Sequence, residues 1–173
     1  MNEQTVAGRE VEALVETLMQ GRSAGVISEA GVPGVADPGA LVVELCHRRG
    51  IRVVPLVGPS SILMAVMASG LNGQSFAFNG YLPVKPAERA RAIRHFEQRA
   101  RAEHQSQLFI EAPYRNLKLV EQLLEVCRGE TKLTIALDLT SEGEFIKTLT
   151  VAEWRRTALP DLQKRPAIFI LGI

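Results

Sequence analysis

The chain has 173 residues, of which 46% are hydrophobic and 23% charged, and its 20 lysines and arginines nearly balance its 19 acidic residues. This composition excludes a disordered chain, a collagen-like chain and a coiled coil. A formal net charge of +1 also argues against tight, nonspecific binding of nucleic acid, although a local basic face is compatible with it.

No stretch reaches the roughly 18 to 20 uncharged apolar residues that a membrane span needs. The N-terminus also lacks the basic and then apolar pattern of a signal peptide, so we expect a soluble protein of the cytoplasm. Cys46 and Cys127 lie within helical apolar patterns, which predicts buried, unpaired thiols. The histidines occur in charged stretches without metal-ligand spacing, so no metal site is predicted; they are His47, His95 and His104.

Three helices are predicted in the first 70 residues. Apolar residues at helical spacing predict the first over 5–20. Asp37 and Pro38 are a typical N-cap and first-turn pair, so a second helix is expected from there to Gly50. An almost wholly apolar helix is predicted over 62–70.

Two predicted strands, over 24–28 and 52–57, alternate with these helices, and this order is typical of a parallel sheet. Each strand leads into a glycine- and proline-rich segment, and ligands often bind at such strand ends. The first segment, 28–39, is either a tight crossover or a ligand loop; its spacing alone favours the crossover, and the presence of two such segments shifts the balance toward a ligand loop. Ser60 and Ser61, in the second segment, can either cap the next helix or hydrogen-bond a ligand carboxylate.

After about Gly70 the order of the elements changes. Strands are predicted over 76–81, 107–111, 133–139, 144–149 and 167–171. Helices are predicted over 87–103 and 113–127, and Thr150 with Glu153 forms a capping box for a short helix through Trp154. We therefore expect an α/β protein, with an N-terminal domain over 1–72 and a mixed-sheet domain over 73–173.

Charged residues in this second half have both structural and functional interpretations. Glu111 ends an apolar strand, where it can be solvated or paired with Arg115. Asp138 lies in an apolar run and needs a partner, because an unpaired buried charge is costly. No Ser-His-Asp or Cys-His set can be assembled, so an enzyme of this sequence would act by binding and orientation.

The arginine-rich helix over 87–103 also carries three glutamates, which favours a solvated face with ion pairs. The alternative is a basic face for RNA, in which the side chains contact phosphates without reading sequence. The candidate phosphate contacts are Lys85, Arg89, Arg91 and Arg115.

Five motifs occur in a fixed order: SEAGVPGVADPG at 28–39, GPSS at 58–61, ASGL at 68–71, FNGYLP at 78–83 and EAPYR at 111–115. In this order they resemble motifs of the tetrapyrrole methylase superfamily, and most of all its ribosomal RNA small subunit methyltransferase I branch. That branch reads SDAGTP with ISDPG, PGPSA, SGL, F-x-GFLP and YES-x-HR. The resemblance covers essentially the whole chain.

The resemblance implies an S-adenosylmethionine-dependent methyltransferase that forms a homodimer. It implies a parallel-sheet first domain and a mixed-sheet second domain, with the cofactor folded into the cleft between them. The cofactor then carries the chemistry, while the loops supply backbone amides and carbonyls. Carried over residue by residue, the cofactor-binding positions are Ala30, Gly31, Val32, Val35, Ser60, Ser61, Glu111, Leu139 and Thr140. No catalytic residue is assigned.

Three departures from the branch stand out. Glu29 and Val32 replace the aspartate and threonine of SDAGTP, and the ELTK motif reads DLTS at 138–141, without its lysine. The opening strand and TPIGN loop of the family have no counterpart, so we expect a fragment of a longer protein that lacks its N-terminal strands. Without that strand, part of the apolar face of the first domain would be exposed.

The resemblance therefore implies a methyltransferase that uses S-adenosylmethionine and acts on ribosomal RNA. One alternative is a methylase of a tetrapyrrole or another small molecule, which requires a wide apolar cleft. The other is a non-catalytic, degenerate member that keeps the fold. The basic helix favours RNA, and cofactor binding distinguishes the last alternative from the other two.

Overall fold

The computed structural model of the chain describes residues 3–28 and 31–173, with side chains from residue 8 onward. It consists of two compact units, Met1–Ser60 and Ser61–Ile173, which we call the first and second unit. The domain boundary predicted between residues 72 and 73 stays a prediction.

The first unit contains two packed helices, α1 (Glu3–Met19) and α2 (Ala40–Arg48). Their apolar stripes bury Val15 on α1 and Cys46 on α2. Gly21, at φ +85°, follows α1 in the left-handed conformation that commonly ends helices. The first helix predicted from sequence is thus confirmed.

The strands predicted over 24–28 and 52–57 are not formed in the described structure. A strand exists only where a neighbour completes its ladder of backbone hydrogen bonds, and neither segment has such a neighbour among the described residues. The parallel sheet expected in the first domain is therefore absent from residues 3–28 and 31–60. Apolar side chains of these segments are exposed instead, including Ile27, Leu56 and Val57.

The second unit contains the sheet. Its helices are α3 (Ser61–Ser69), α4 (Pro86–Glu103), α5 (Asn116–Val126) and α6 (Val151–Trp154), with a short 3₁₀ helix at Pro113–Arg115. Its strands are β1 (Phe76–Tyr81), β2 (Ser106–Ile110), β3 (Lys132–Leu137), β4 (Phe145–Thr150) and β5 (Ala167–Gly172), in the spatial order β1-β2-β5-β3-β4. β1 and β2 are parallel, and the other neighbouring pairs are antiparallel. The predicted mixed sheet is confirmed.

Alternating residues of the central strands face opposite layers of the second unit, as the two-residue period of a strand requires. Phe109 and Phe169 pack in the core beneath α4, α5 and α6. Leu108 and Ile170 pack on the other face, against α3. The central strands are therefore covered on both faces, which explains why residues 133–139 and 167–171 read as nearly continuous apolar runs.

The capping box at the start of α6 is confirmed. The hydroxyl of Thr150 accepts from the amide of Glu153 at 3.2 Å, and the Glu153 carboxylate accepts from the amide of Thr150 at 2.8 Å. One turn later Trp154 is buried, and its indole donates to the carbonyl of Leu133 at 2.8 Å. The capping box thus sets the start of α6 and with it the position of Trp154, the largest of the fully buried side chains.

Both cysteines are buried and unpaired, and the three histidines are exposed, as predicted. Burial, with a smaller contribution from Glu97, raises the pKa of the Cys127 thiol to about 12. No helix in the described ranges is long and apolar enough to cross a membrane. Within the same ranges no group of three or more His, Cys, Asp or Glu side chains is arranged to hold a metal ion.

Candidate functional site

The ends of three strands lie at one edge of the sheet in the second unit. β1 and β2 are parallel, and β5 is antiparallel to both β2 and β3, so β1, β2 and β3 all run in the same direction. The residues that end or follow these strands, Tyr81, Glu111 and Asp138, therefore lie along a common edge, which we call the carboxyl edge. Such edges are where open α/β sheets commonly bind ligands.

Glu111 is the most buried charged side chain of the carboxyl edge, with a side chain that is 0% exposed. Its Oε1 accepts from the amide of Ala112 at 2.7 Å and from the Nε and Nη2 atoms of Arg115 at 2.9 and 2.6 Å. The hydrogen bond to Glu111 is the main cause that raises the pKa of the Arg115 guanidinium. The predicted ion pair is thus present. The other oxygen, Oε2, is buried and has no hydrogen-bond partner among the described residues.

The segment that follows β3 adopts an unusual backbone. Asp138 and Thr140 have φ of +45° and +68°, in the left-handed region that residues other than glycine rarely adopt. The amide of Thr140 donates to the Glu144 carboxylate at 2.7 Å. Leu139 is half-buried against the α3 side of the sheet, and Thr140 is exposed. Such strain persists where surrounding contacts impose it, and it is frequent at ligand-binding sites.

Arg165 holds this segment through two hydrogen bonds, and no sequence motif pointed to it. Its Nε donates to Asp138 Oδ2 at 2.5 Å, and its Nη2 donates to the carbonyl of Gly143. Asn116, fully buried, donates to the carbonyl of Arg165 at 2.7 Å and so joins the segment after β2 to the segment before β5, which contains Arg165. Asp138 is therefore paired with Arg165. The available sequence signal for this pair was that a charged residue within an apolar run requires a partner.

The predicted basic face is only partly formed. Lys85 and Arg91 are exposed, and Lys85 Nζ lies 3.3 Å from Glu88 Oε1. Arg115 has a side chain that is 25% exposed. Arg89, in contrast, is buried and donates its Nε to Gln122 on α5. The sequence suggested that Arg89 is an exposed phosphate contact, and this prediction is wrong because the side chain is buried against Gln122.

In the first unit, the two glycine-rich segments lie next to each other. A Cβ on Gly58 would lie 3.9 Å from Val32 Cγ1. Gly31 and Gly34 have φ of +72° and +79°, which glycine adopts without steric cost. Val35 is exposed. Predicted residue Ala30 lies outside the described residues.

The prediction that Asp37 caps α2 is wrong, because this residue stabilises the turn before the helix. Its Oδ1 accepts from the amides of Gly34 at 3.1 Å and Gly39 at 2.8 Å, and these bonds lower the pKa of its carboxyl. The N-cap residue is Gly39, where a Cβ would lie 2.7 Å from Asp37 Oδ1. Because this carboxylate accepts from the amides of Gly34 and Gly39, it does not cap the helix, which begins at Ala40.

The predicted residues 60 and 61 fall on either side of the sequence boundary between the two units. Ser60 is the last residue of the first unit, and Ser61 is the first residue of α3 in the second. Both side chains are half-buried. The free amides of a helix N-terminus favour anionic groups, so this position suits a ligand carboxylate as well as a cap.

Comparison with solved structures shows the same fold in known methyltransferases. The methyltransferase CobJ matches with a TM-score of 0.61 at 22% identity, over 99% of this chain and 72% of that one. The cobalt precorrin-4 methyltransferase CbiF matches with a TM-score of 0.59 at 14% identity, over 94% and 69%. Uroporphyrin-III C-methyltransferase of Thermus thermophilus, complexed with S-adenosyl homocysteine, gives 0.50 at 19% identity, over 96% and 73%.

Sequence relatives are more similar than these structures. The ribosomal RNA small subunit methyltransferase I of Vibrio cholerae is 35% identical over 145 residues, which are 84% of this chain and 49% of the relative. The enzyme of the same name from Mesorhizobium japonicum is 37% identical over 145 residues, 84% of this chain and 48% of its own. The chain thus spans about half the length of these curated relatives. The family model of the tetrapyrrole (corrin/porphyrin) methylases matches residues 2–154, and the chain therefore belongs to that family.

Proposed function

We propose that the protein is an S-adenosylmethionine-dependent methyltransferase that modifies the ribosomal RNA of the small subunit. The observation that carries this proposal is the 35% identity, over 84% of the chain, to a relative named for that activity. The tetrapyrrole methylases that share the fold are less than 25% identical, so they support the fold without favouring a tetrapyrrole acceptor. We also propose a cytoplasmic homodimer, on the family resemblance.

The residues of the second unit fit a cofactor with hydroxyl and ammonium donors. Glu111 Oε2 is a buried acceptor without a partner in the described structure, and a buried acceptor gains from a ligand donor. When bound, S-adenosylmethionine supplies an electrophilic methyl group on its sulfonium. Glu111 would bind and orient a donor group of the cofactor, while the backbone at Leu139 and at Thr140, which is left-handed, would present carbonyls to it.

In the first unit, the adjoining segments around Val32 and Gly58 supply backbone groups that side chains do not obstruct. Ser60, and Ser61 at the start of α3, would hydrogen-bond a carboxylate of the cofactor. The remaining cofactor positions that we propose are Ala30, Gly31 and Val35.

Phosphate contacts with RNA are proposed for the exposed cations of the second unit. Lys85, Arg91 and Arg115 have exposed or partly exposed side chains that are able to neutralise phosphates. Arg89 is left out of this set because it is buried against Gln122. The contribution of this face should fall as salt concentration rises.

Calorimetric titration with S-adenosylhomocysteine tests the cofactor assignment. We expect the wild-type chain to bind, and Glu111→Gln to bind about tenfold more weakly, because one charged acceptor is lost. Glu121→Gln, an exposed glutamate on α5, is the matched control and should bind as the wild type does. If the wild type does not bind, the cofactor proposal fails and a non-catalytic member of the family becomes the better interpretation.

Transfer of labelled methyl groups tests the acceptor. We expect label from S-adenosylmethionine in the RNA of isolated small ribosomal subunits and none in uroporphyrinogen III. The reverse result would assign the protein to the tetrapyrrole branch. Cofactor binding without transfer to either acceptor would overturn the ribosomal RNA proposal and leave the cofactor assignment intact.

A further inference from the structure

The chain has two tyrosines, and both lie exposed at the carboxyl edge. Tyr81 ends β1 and is 62% exposed, while Tyr114 lies in the 3₁₀ helix after β2 and is 73% exposed. Large aromatic side chains usually bury most of their surface, so two exposed rings at one edge need an explanation. Neither ring is required by the core of the second unit, whose members come from other residues.

The backbone brings the two tyrosines onto adjacent strand ends. Tyr81 is in register with Ile110, the last residue of β2, and neighbouring strands are about 4.8 Å apart. The register of β1 shifts between Phe78 and Tyr81, where Gly80 has φ +64°. Irregularities of this kind redirect the side chains that follow them and are frequent beside functional sites.

Arg115 lies against the Tyr114 ring. Its guanidinium carbon lies 5.3 Å from the centroid of the Tyr114 ring, within the range of a cation–π contact. Its Nη1 lies 3.5 Å from the Tyr114 hydroxyl. Since Glu111 holds the other side of the guanidinium, the cation and the Tyr114 ring have a fixed relation.

Two exposed rings beside a fixed guanidinium suit one class of ligand. Unpaired RNA bases stack on aromatic side chains and on arginine planes, whereas bases inside a duplex are already stacked. The exposed Lys85 follows Tyr81 on the same connection and offers a cation to the adjoining phosphates. A polar, charged ligand matches this mixture better than an apolar protein surface does.

We propose that Tyr81 and Tyr114, with Arg115 against the Tyr114 ring, form a stacking platform for unpaired bases of the RNA acceptor. The proposal rests on the proposed function, since it names the part of the RNA that the same edge of the sheet binds. It assigns to the two tyrosines a role in binding the acceptor and none in binding the cofactor.

Fluorine NMR tests the platform directly, because incorporation of 3-fluorotyrosine labels only these two positions. The probe is an unstructured RNA of about ten nucleotides, within the site size of known stacking surfaces. We expect both resonances to shift with this RNA and to stay unchanged with the same sequence annealed to its complement. Unshifted resonances during RNA binding, or equal shifts with the duplex, would overturn the proposal.

Matched variants separate the rings from the hydroxyls. Tyr81→Phe and Tyr114→Phe keep a ring and should bind the RNA as the wild type does, whereas Tyr81→Leu and Tyr114→Leu should each bind roughly 5- to 150-fold more weakly. All four should bind S-adenosylhomocysteine normally. If the leucine variants bind the RNA as tightly as the wild type does, the stacking platform is refuted and the cofactor proposal is unaffected.

Failure of the proposed function has a different signature. If the wild-type chain does not bind S-adenosylhomocysteine, the cofactor proposal is refuted and the RNA measurement stays valid. Sedimentation of the same samples detects dimers of the chain. The fluorine resonances then show whether the second copy covers the two tyrosines. Dimers in which both resonances are already shielded, and which RNA does not disturb, would overturn the platform.

Discussion

Replacement of Arg115 by methionine should destabilise the second unit strongly, because it leaves Glu111 as an isolated buried carboxylate. The Glu111 side chain is 0% exposed, and two of the three hydrogen bonds to its Oε1 come from Arg115. Removing one partner of a buried ion pair costs about 3–5 kcal/mol. Since the Arg115 side chain is 25% exposed, water can partly replace it, and we expect the lower end, about 3 kcal/mol.

Urea unfolding followed by tryptophan fluorescence measures this cost in the right part of the molecule. Trp154 is the single tryptophan of the chain and is 1% exposed in the core of the second unit, so its emission reports on that unit. With a slope of about 2 kcal/mol per molar urea, a loss of about 3 kcal/mol lowers the midpoint by roughly 1.5 M. Arg94→Met, at an exposed site on α4, is the control and should change the free energy of unfolding by less than about 0.5 kcal/mol.

A double variant distinguishes the buried charge from lost packing. Glu111→Gln with Arg115→Met removes both charges, and replacing a buried pair by neutral groups is often close to neutral. We expect the double variant to regain at least half of the lost stability. A cost below about 1 kcal/mol for Arg115→Met, or a double variant as unstable as the single one, would refute the reasoning.

Three further predictions concern single groups. The Cys127 thiol, with a pKa of about 12, should not react with a disulfide reagent at pH 8 until urea unfolds the chain. Hydrogen bonds from Thr150 lower the pKa of Glu153 below its usual 4.5; the stability they give is present above that value and lost as the pH falls through the folded pKa. The difference in urea midpoint between wild type and Glu153→Gln should therefore shrink as the pH falls from about 5 to 3. Asn116→Asp should cost about 3 kcal/mol in the same assay, because the buried amide donates to two backbone carbonyls, including that of Arg165 at 2.7 Å.

The sheet of the second unit was predictable because its signals are local or complete within the chain. The apolar runs at 133–139 and 167–171 correspond to β3 and β5, which are buried and hydrogen-bonded to each other. The capping box at Thr150 depends on residues three positions apart, so spacing alone identifies it. Strand and helix positions in this half therefore agree with the sequence to within three residues.

The first unit was less predictable because a strand depends on its neighbour. The residues over 24–28 and 52–57 have apolar composition, but composition supplies no partner for their backbone groups. Asp37 shows a related limit: its carboxylate bonds to two loop amides, and sequence spacing does not reveal which amide is nearest. Both errors concern which group completes a hydrogen bond.

Side-chain partners far apart in sequence account for the remaining differences at the candidate site. Arg89 bonds to Gln122, 33 positions away, so a pattern of charges along α4 does not show that it is buried. The Asp138–Arg165 pair spans 27 positions. The Glu111–Arg115 pair, in contrast, is four positions apart and was foreseen.

The position of β5 has a consequence for the order in which the chain folds during synthesis. β5 is the fifth strand along the chain, yet it lies in the middle of the sheet, between β2 and β3. The pair β1-β2 and the hairpin β3-β4 can form earlier, but each then carries an open edge able to pair with other chains. Residues 167–172 unite the two halves, so the ribosome must translate this segment before a nascent chain becomes protected from misassembly.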